Sequence, residues 1–210
     1  MPPSELTVFQ RHLQKLDYTR KRMEDLFQEG KISKRDVCSV YEALFLRAVT
    51  RFETFLEDLF LAILQKRVKY NKSRKILPRI VHRSNDALTR VVYREQPYLD
   101  WMPFKETQQR ADLFLYGGRP FSELELDHKD VMTRIWVTRN AIAHDSQHVK
   151  RQFHKTIVKS LVLRPTEKSP AGFLRSQVNP TTNRFEVYVG ELGRIAAHLC
   201  SPTRPARKFP

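Results

Sequence analysis

An all-α fold, a helical bundle of about five to seven helices built on a long central helix, is what this chain predicts. Three observations carry that prediction. Apolar residues recur at three- and four-residue spacing through most of the 210 residues, Pro and most of the Gly fall between those stretches, and the one segment suited to a small hairpin lies near the C-terminus. Hydrophobic residues make up 40% of the chain and charged residues 29%, enough for a core and too apolar for wholesale disorder. The length fits one domain over 1–200, with an N-terminal helix in 1–32, a basic insertion-like segment in 66–126 and a mobile basic tail in 201–210.

The first helix is marked by Leu6, Phe9, Leu13, Leu16, Met23 and Phe27, interrupted by Arg20, and Gly30 stands where a helix C-terminus favours glycine. Ser33 opens the next helix, with Asp36 three residues on in a variant capping box. Val37, Tyr41, Leu44, Ala48, Phe52, Phe55, Leu59 and Ile63 form one stripe, which Val40, Phe45, Val49, Leu56 and Phe60 widen. So broad a face predicts a helix buried on two sides, the central member of a bundle or a dimer element. Its polar remainder includes Glu53 and Glu57, a spacing that as readily describes ordinary surface pairing as a functional carboxylate.

Between Lys66 and Arg94 stand ten basic residues and one acid, a net +9 out of a formal net charge of +15 for the chain. With a pI of about 10.1, this concentration predicts a polyanionic partner: RNA, DNA, an acidic protein or an anionic surface. Lys66, Arg67, Lys69, Lys72, Arg74 and Lys75 are the expected phosphate contacts. Pro78 breaks the run, Ser84 caps a short helix over 85–95, and Pro103 opens another that reaches about Tyr116 before Gly117 and Gly118. Tyr93, Tyr98, Trp101 and Phe104 beside the cations either pack or stack on unpaired bases.

The most informative stretch is 131–146. Val131, Ile135, Thr138 and Ile142 share a helical sector, while Asn140 and His144, four apart, share a face roughly opposite, with Arg139 to one side. Asp127 is the expected cap of this helix, and Asp145 and Ser146 end it and cap the next. Val149, Phe153, Ile157 and Leu161 give that next helix its inward stripe, leaving Lys150 and Arg151 to extend a positive groove. His148 and His154 read as surface residues, and no His, Cys or carboxylate spacing predicts a metal site or another cofactor. Residues 164–184 are loop-rich, a small hairpin from 173–178 and 184–189 is compatible with them, and 185–200 closes the chain as a helix despite Gly190 and Gly193.

Cys38 and Cys200, far apart, read as free thiols in a reducing compartment. No apolar run is long enough for a bilayer and the start of the chain lacks the apolar centre of a signal peptide, so the expectation is a soluble, cytoplasmic protein with no membrane partner.

Arg139-Asn140-x-x-x-His144, preceded by the acidic-apolar helix around 51–64 and followed by an amphipathic helix, resembles the Arg-x4-His signature of the HEPN superfamily. The resemblance covers most of 35–200. It implies a small all-α protein, a homodimer, and a metal-independent endoribonuclease of the kind found among toxins and antiviral defence effectors, often restrained by an antitoxin or regulatory protein. It also makes Glu53 the favoured carboxylate on the helix facing the motif, and brings two copies of Arg139, Asn140 and His144 to one cleft. In one branch a Tyr two residues after the motif His is modified by AMP transfer; Ser146 stands there in this chain, a departure from that branch.

The chemistry of the residues agrees with that expectation. RNA carries its own nucleophile, the 2′-hydroxyl. Catalysis then needs an acid or base near neutral pH, which an imidazole such as His144 supplies, and a planar cation for the phosphate, which Arg139 supplies, with Asn140 orienting either. The competing expectation is a non-catalytic helical module that binds RNA or a protein.

Overall fold

Helix boundaries in this chain follow local chemistry closely. The computed structural model describes residues 3–71, 74–82, 84–94 and 96–201, the side chain of Asn85 aside. Among these the fold is an all-α bundle of eight helices with one small antiparallel hairpin. The helices are α1 (Ser4–Gln28), α2 (Lys34–Leu64), α3 (Asn85–Tyr93), α4 (Phe104–Phe114), α5 (Leu126–Ala143), α6 (Gln147–Phe153), α7 (Pro170–Arg175) and α8 (Arg184–Cys200). The hairpin joins β1 (Gln177–Asn179) to β2 (Thr182–Asn183), with Gln177 opposite Asn183.

α1 ends as expected. Gly30 adopts φ 71°, Lys31 N–H donates to the Leu26 carbonyl at 2.9 Å and Gly30 N–H to the Phe27 carbonyl at 3.0 Å. That is the paired closure a left-handed residue permits. The box at α2 is also reciprocal: Asp36 N–H donates to Ser33 Oγ at 3.2 Å, and Ser33 N–H donates to Asp36 Oδ2 at 2.9 Å. α2 closes in the same way as α1, but with Lys66 at φ 55°, where a side chain is disfavoured. Ser84 caps α3 by accepting from Ala87 N–H, and Ser146 caps α6 by accepting from Val149 N–H.

Four expectations need correcting. Asp127 lies in the first turn of α5 and is not its cap, because the helix starts one residue earlier, at Leu126. Pro103 precedes α4 as its cap residue, and α4 stops at Phe114 because Leu115 is extended, at φ −124°, where it bridges Pro78. Residues 164–184 hold more structure than a loop: Ser169 accepts from Gly172 N–H at 3.1 Å with Pro170 in the first turn, which starts α7. Finally, the hairpin is not 173–178 with 184–189: its strands are Gln177–Asn179 and Thr182–Asn183, between α7 and α8. Asn183 and Glu186 form a reciprocal box, with Glu186 N–H to Asn183 Oδ1 at 3.0 Å and Asn183 N–H to Glu186 Oε2 at 2.9 Å, and so convert 184 onward into α8.

The chain divides into two compact units. The first comprises Met1–Phe9, Phe52–Lys129 and Arg194–Pro210. Its core is aromatic. Phe9 stacks on Phe55 at 5.1 Å, and Phe60 meets Trp101, Phe114 and Phe121 at 5.3, 5.9 and 6.0 Å, within the range where ring pairs attract. The basic run from 66 enters this unit as irregular chain, secured where Arg79 N–H donates to the Phe114 carbonyl at 2.8 Å and Tyr116 N–H to that of Leu77 at 2.9 Å.

The second unit comprises Gln10–Arg51 and Asp130–Gly193. Phe45 and Tyr41 of α2 meet Phe185 of α8 at 6.3 and 5.5 Å, and Phe173 meets Tyr188 and Phe153 at 5.8 and 6.1 Å. The broad face expected of α2 is buried: of its thirteen apolar positions only Val40 is half-exposed. Among the described residues no helix is long and apolar enough to cross a membrane. Residues 202–210, expected as a basic tail, lie outside the described residues.

Candidate functional site

A guanidinium, an amide and an imidazole at the end of α5 define the site: Arg139, Asn140 and His144. α5 forms because Met132, Ile135, Val137 and Thr138 bury one side of it, with Thr138 Oγ1 returning a hydrogen bond to the Arg134 carbonyl at 2.8 Å. Val131 and Ile142, expected in the same stripe, are half-buried at its edges. On the remaining surface Arg139 and Asn140 come together: Arg139 Nη1 donates to Asn140 Oδ1 at 3.1 Å. The Arg139 guanidinium also sits 5.2 Å from the Trp136 ring centroid, one turn back. Its Nε–H is buried and has no partner among the described residues. A buried donor left unmatched is costly, and worth an explanation.

His144 lies one residue beyond α5, held in register by its N–H, which donates to the Asn140 carbonyl at 2.9 Å. Its side chain is exposed. The arrangement therefore presents an anchored planar cation, an amide bound to it, and an open imidazole one turn further along. A phosphodiester oxygen placed on the cation is within the chemistry such groups perform. Ser146 is used in capping α6, where its hydroxyl accepts from Val149 N–H. Lys150 of α6 turns back to Asp145 in an exposed ion pair, which holds the Asp145 carboxyl below its ordinary pKa, while Arg151 is exposed.

The other expected residues fall in the first unit. Glu53 is half-buried on α2. Lys66, Lys69 and Lys75 are exposed, and Arg67, though exposed, pairs with Glu5 at 3.2 Å. Lys72 lies outside the described residues.

Arg74 differs from its neighbours. Its side chain is 0% exposed, with Nε on Glu123 Oε2 at 3.0 Å. The remaining N–H groups close the C-terminus of α8: Nη2 donates to the His198 carbonyl at 3.1 Å, and Nη1 to those of Leu199 and Ser201. Tyr70 lies beneath the guanidinium and donates to the Leu199 carbonyl at 3.0 Å. Arg74 thus caps a helix and has no surface to offer a phosphate.

Beside it, His198 is half-buried, edge-on to His128 at 5.8 Å, and its Nε2 has no partner among the described residues. Burial, then Arg74 and His128, hold its pKa below 6.5, with Glu123 and Glu125 opposing weakly. The unfolded chain then binds the extra proton more readily than the native one. The stability this neutral ring contributes is present above about pH 6.5 and is lost as the pH falls through that value toward the lower native pKa. Denaturant unfolding from about pH 8 to about pH 5 should lose less stability in His198→Gln than in the wild type; equal losses would contradict the assignment.

Sequence reasoning missed a polar network in the second unit. Arg20, 5% exposed, donates to Asp17 at 2.9 Å, Glu186 at 2.6 Å and Tyr41 at 3.3 Å. Asn183 also donates to Tyr41, and Arg175 grips Glu24 through two bonds of 3.0 and 3.1 Å. Burial pushes the Tyr41 hydroxyl up to about 12. The network lines a hollow of about 440 Å³, but its guanidinium groups are committed to the surrounding carboxylates. Its sequence signal was Arg20 on an otherwise apolar stripe.

Compared with protein-family models, curated proteins and solved structures, the chain has no match. A functional reading therefore rests on the residues themselves.

Proposed function

We propose that this chain is a metal-independent endoribonuclease of HEPN type that works as a homodimer, in the setting of a toxin or antiviral defence effector. The observation that carries the reading is the anchored Arg139–Asn140 pair, with its unmatched buried Nε–H, one turn from the exposed His144 imidazole. His144 takes the 2′-hydroxyl proton or returns one to the leaving 5′-oxygen, and Arg139 carries the charge that builds on the phosphoryl oxygens. Asn140 orients the guanidinium. One copy brings a single motif imidazole, so a two-fold dimer supplies both the acid and the base. Glu53 is proposed, from the resemblance alone, as the supporting carboxylate.

Exposed Lys66, Arg67, Lys69, Lys75, Lys150 and Arg151 are the proposed phosphate contacts, which makes binding fall with salt. Purified protein incubated with total RNA in EDTA tests the proposal. Discrete cleavage products are expected. Salt-sensitive binding without products would instead mark a non-catalytic RNA-binding module. Toxicity on expression that disappears with His144→Ala is the expected cellular counterpart.

A further inference from the structure

The first unit contains a hollow of about 240 Å³ between α3, α4 and the segment joining them. That is smaller than the roughly 300–1,000 Å³ of pockets for drug-sized ligands, so it suits a fragment of a larger molecule. Leu99, Leu113 and Phe114 supply apolar walls. Gln109, Glu106 and Arg110 supply donors and acceptors among them. Arg110 is held over the Trp101 ring at 4.5 Å, with one N–H on the Asp100 carbonyl at 3.2 Å; its other N–H groups have no partner among the described residues.

Apolar faces with a mixed polar edge match a flat heterocycle, whose faces are apolar and whose rim alternates donors and acceptors. The Glu106 carboxylate offsets one of the two guanidinium groups in the lining, Arg94 and Arg110. Phosphates flanking the base have the exposed guanidinium groups of Arg94, in the lining, and of Arg90, one turn back on α3. We propose that this hollow takes one unpaired nucleobase of a single-stranded RNA. The inference deepens the RNA reading above and rests on it.

The test uses the full chain carrying His144→Ala, so that binding is read without cleavage. Short single-stranded oligoribonucleotides are compared by fluorescence anisotropy with abasic oligomers of equal length. Intact oligomers should bind about tenfold more tightly, the order a single stacked base supplies. Leu113→Asp, at a side chain already 60% exposed, should erase that difference while leaving abasic binding unchanged. Gln109→Ala should narrow the preference among homopolymers. Equal affinity for intact and abasic oligomers overturns the proposal, as does a base preference that survives Leu113→Asp. Displacement of RNA by an acidic Glu/Leu peptide but not by free nucleosides also overturns it, and marks a protein-docking pocket. A base preference in a protein whose wild type never cleaves RNA would count against the ribonuclease reading alone.

Discussion

His144→Ala is expected to lower RNA cleavage by about 10²–10⁴-fold, the range that general acid–base transfer supplies. The substituted protein should melt where the wild type does, because the imidazole is exposed and carries no side-chain hydrogen bond among the described residues. Arg139→Ala should cost a comparable loss of transition-state stabilisation, about 10²–10³ in rate, the scale of removing one oxyanion donor. Arg139→Lys keeps the charge but loses the planar fork that Asn140 and Trp136 hold, and should recover little of the rate. Folded His144→Ala protein with wild-type cleavage would remove His144 from the chemistry.

Arg74→Met should be the most destabilising single change outside the apolar core. It removes the 3.0 Å partner of the Glu123 carboxylate, whose side chain is 5% exposed and which keeps Arg119 at 3.6 Å, and it uncaps three carbonyls at the end of α8. Breaking a buried ion pair by removing one partner costs about 3–5 kcal/mol. For a chain of this size that corresponds to a drop in Tm of about 10 °C. Adding Glu123→Gln to Arg74→Met removes a buried carboxylate that has lost its nearer cation and should restore part of the loss. An Arg74→Met protein melting within about 2 °C of the wild type would show that the cap is worth far less than a buried pair of this kind.

Local signals in the sequence were reliable where the structure uses local chemistry. Ser33 with Asp36, Gly30, Ser84 and Ser146 each act within a turn of their own position, and each does what its residue type favours. The width of the apolar face on α2 was equally readable, since thirteen residues declare it. Asn183 with Glu186 carried the same kind of signal as Ser33 with Asp36, and it explains why the hairpin yields to α8. Buried cations were not readable. Arg20 is buried because Glu186 lies against it, and Arg74 because the end of α8 does, both more than a hundred residues away in sequence. A charge run predicts solvation until such distant partners are known, which is why Arg74 stood among the expected phosphate contacts. The candidate site lies between these cases. Spacing placed Asn140 and His144 on one face, but the stacking of Arg139 on Trp136 and its enclosed Nε–H depend on packing that spacing does not encode.

The chemistry of the cut ends tests the central claim most directly. RNA cleaved by the purified protein in EDTA should carry 2′,3′-cyclic phosphate (or 3′-phosphate) and 5′-hydroxyl termini, and a 2′-deoxy nucleotide at the scissile position should block the cut. Products with 5′-phosphate ends, or undiminished cleavage at the 2′-deoxy position, would contradict attack by the 2′-hydroxyl under the control of Arg139 and His144.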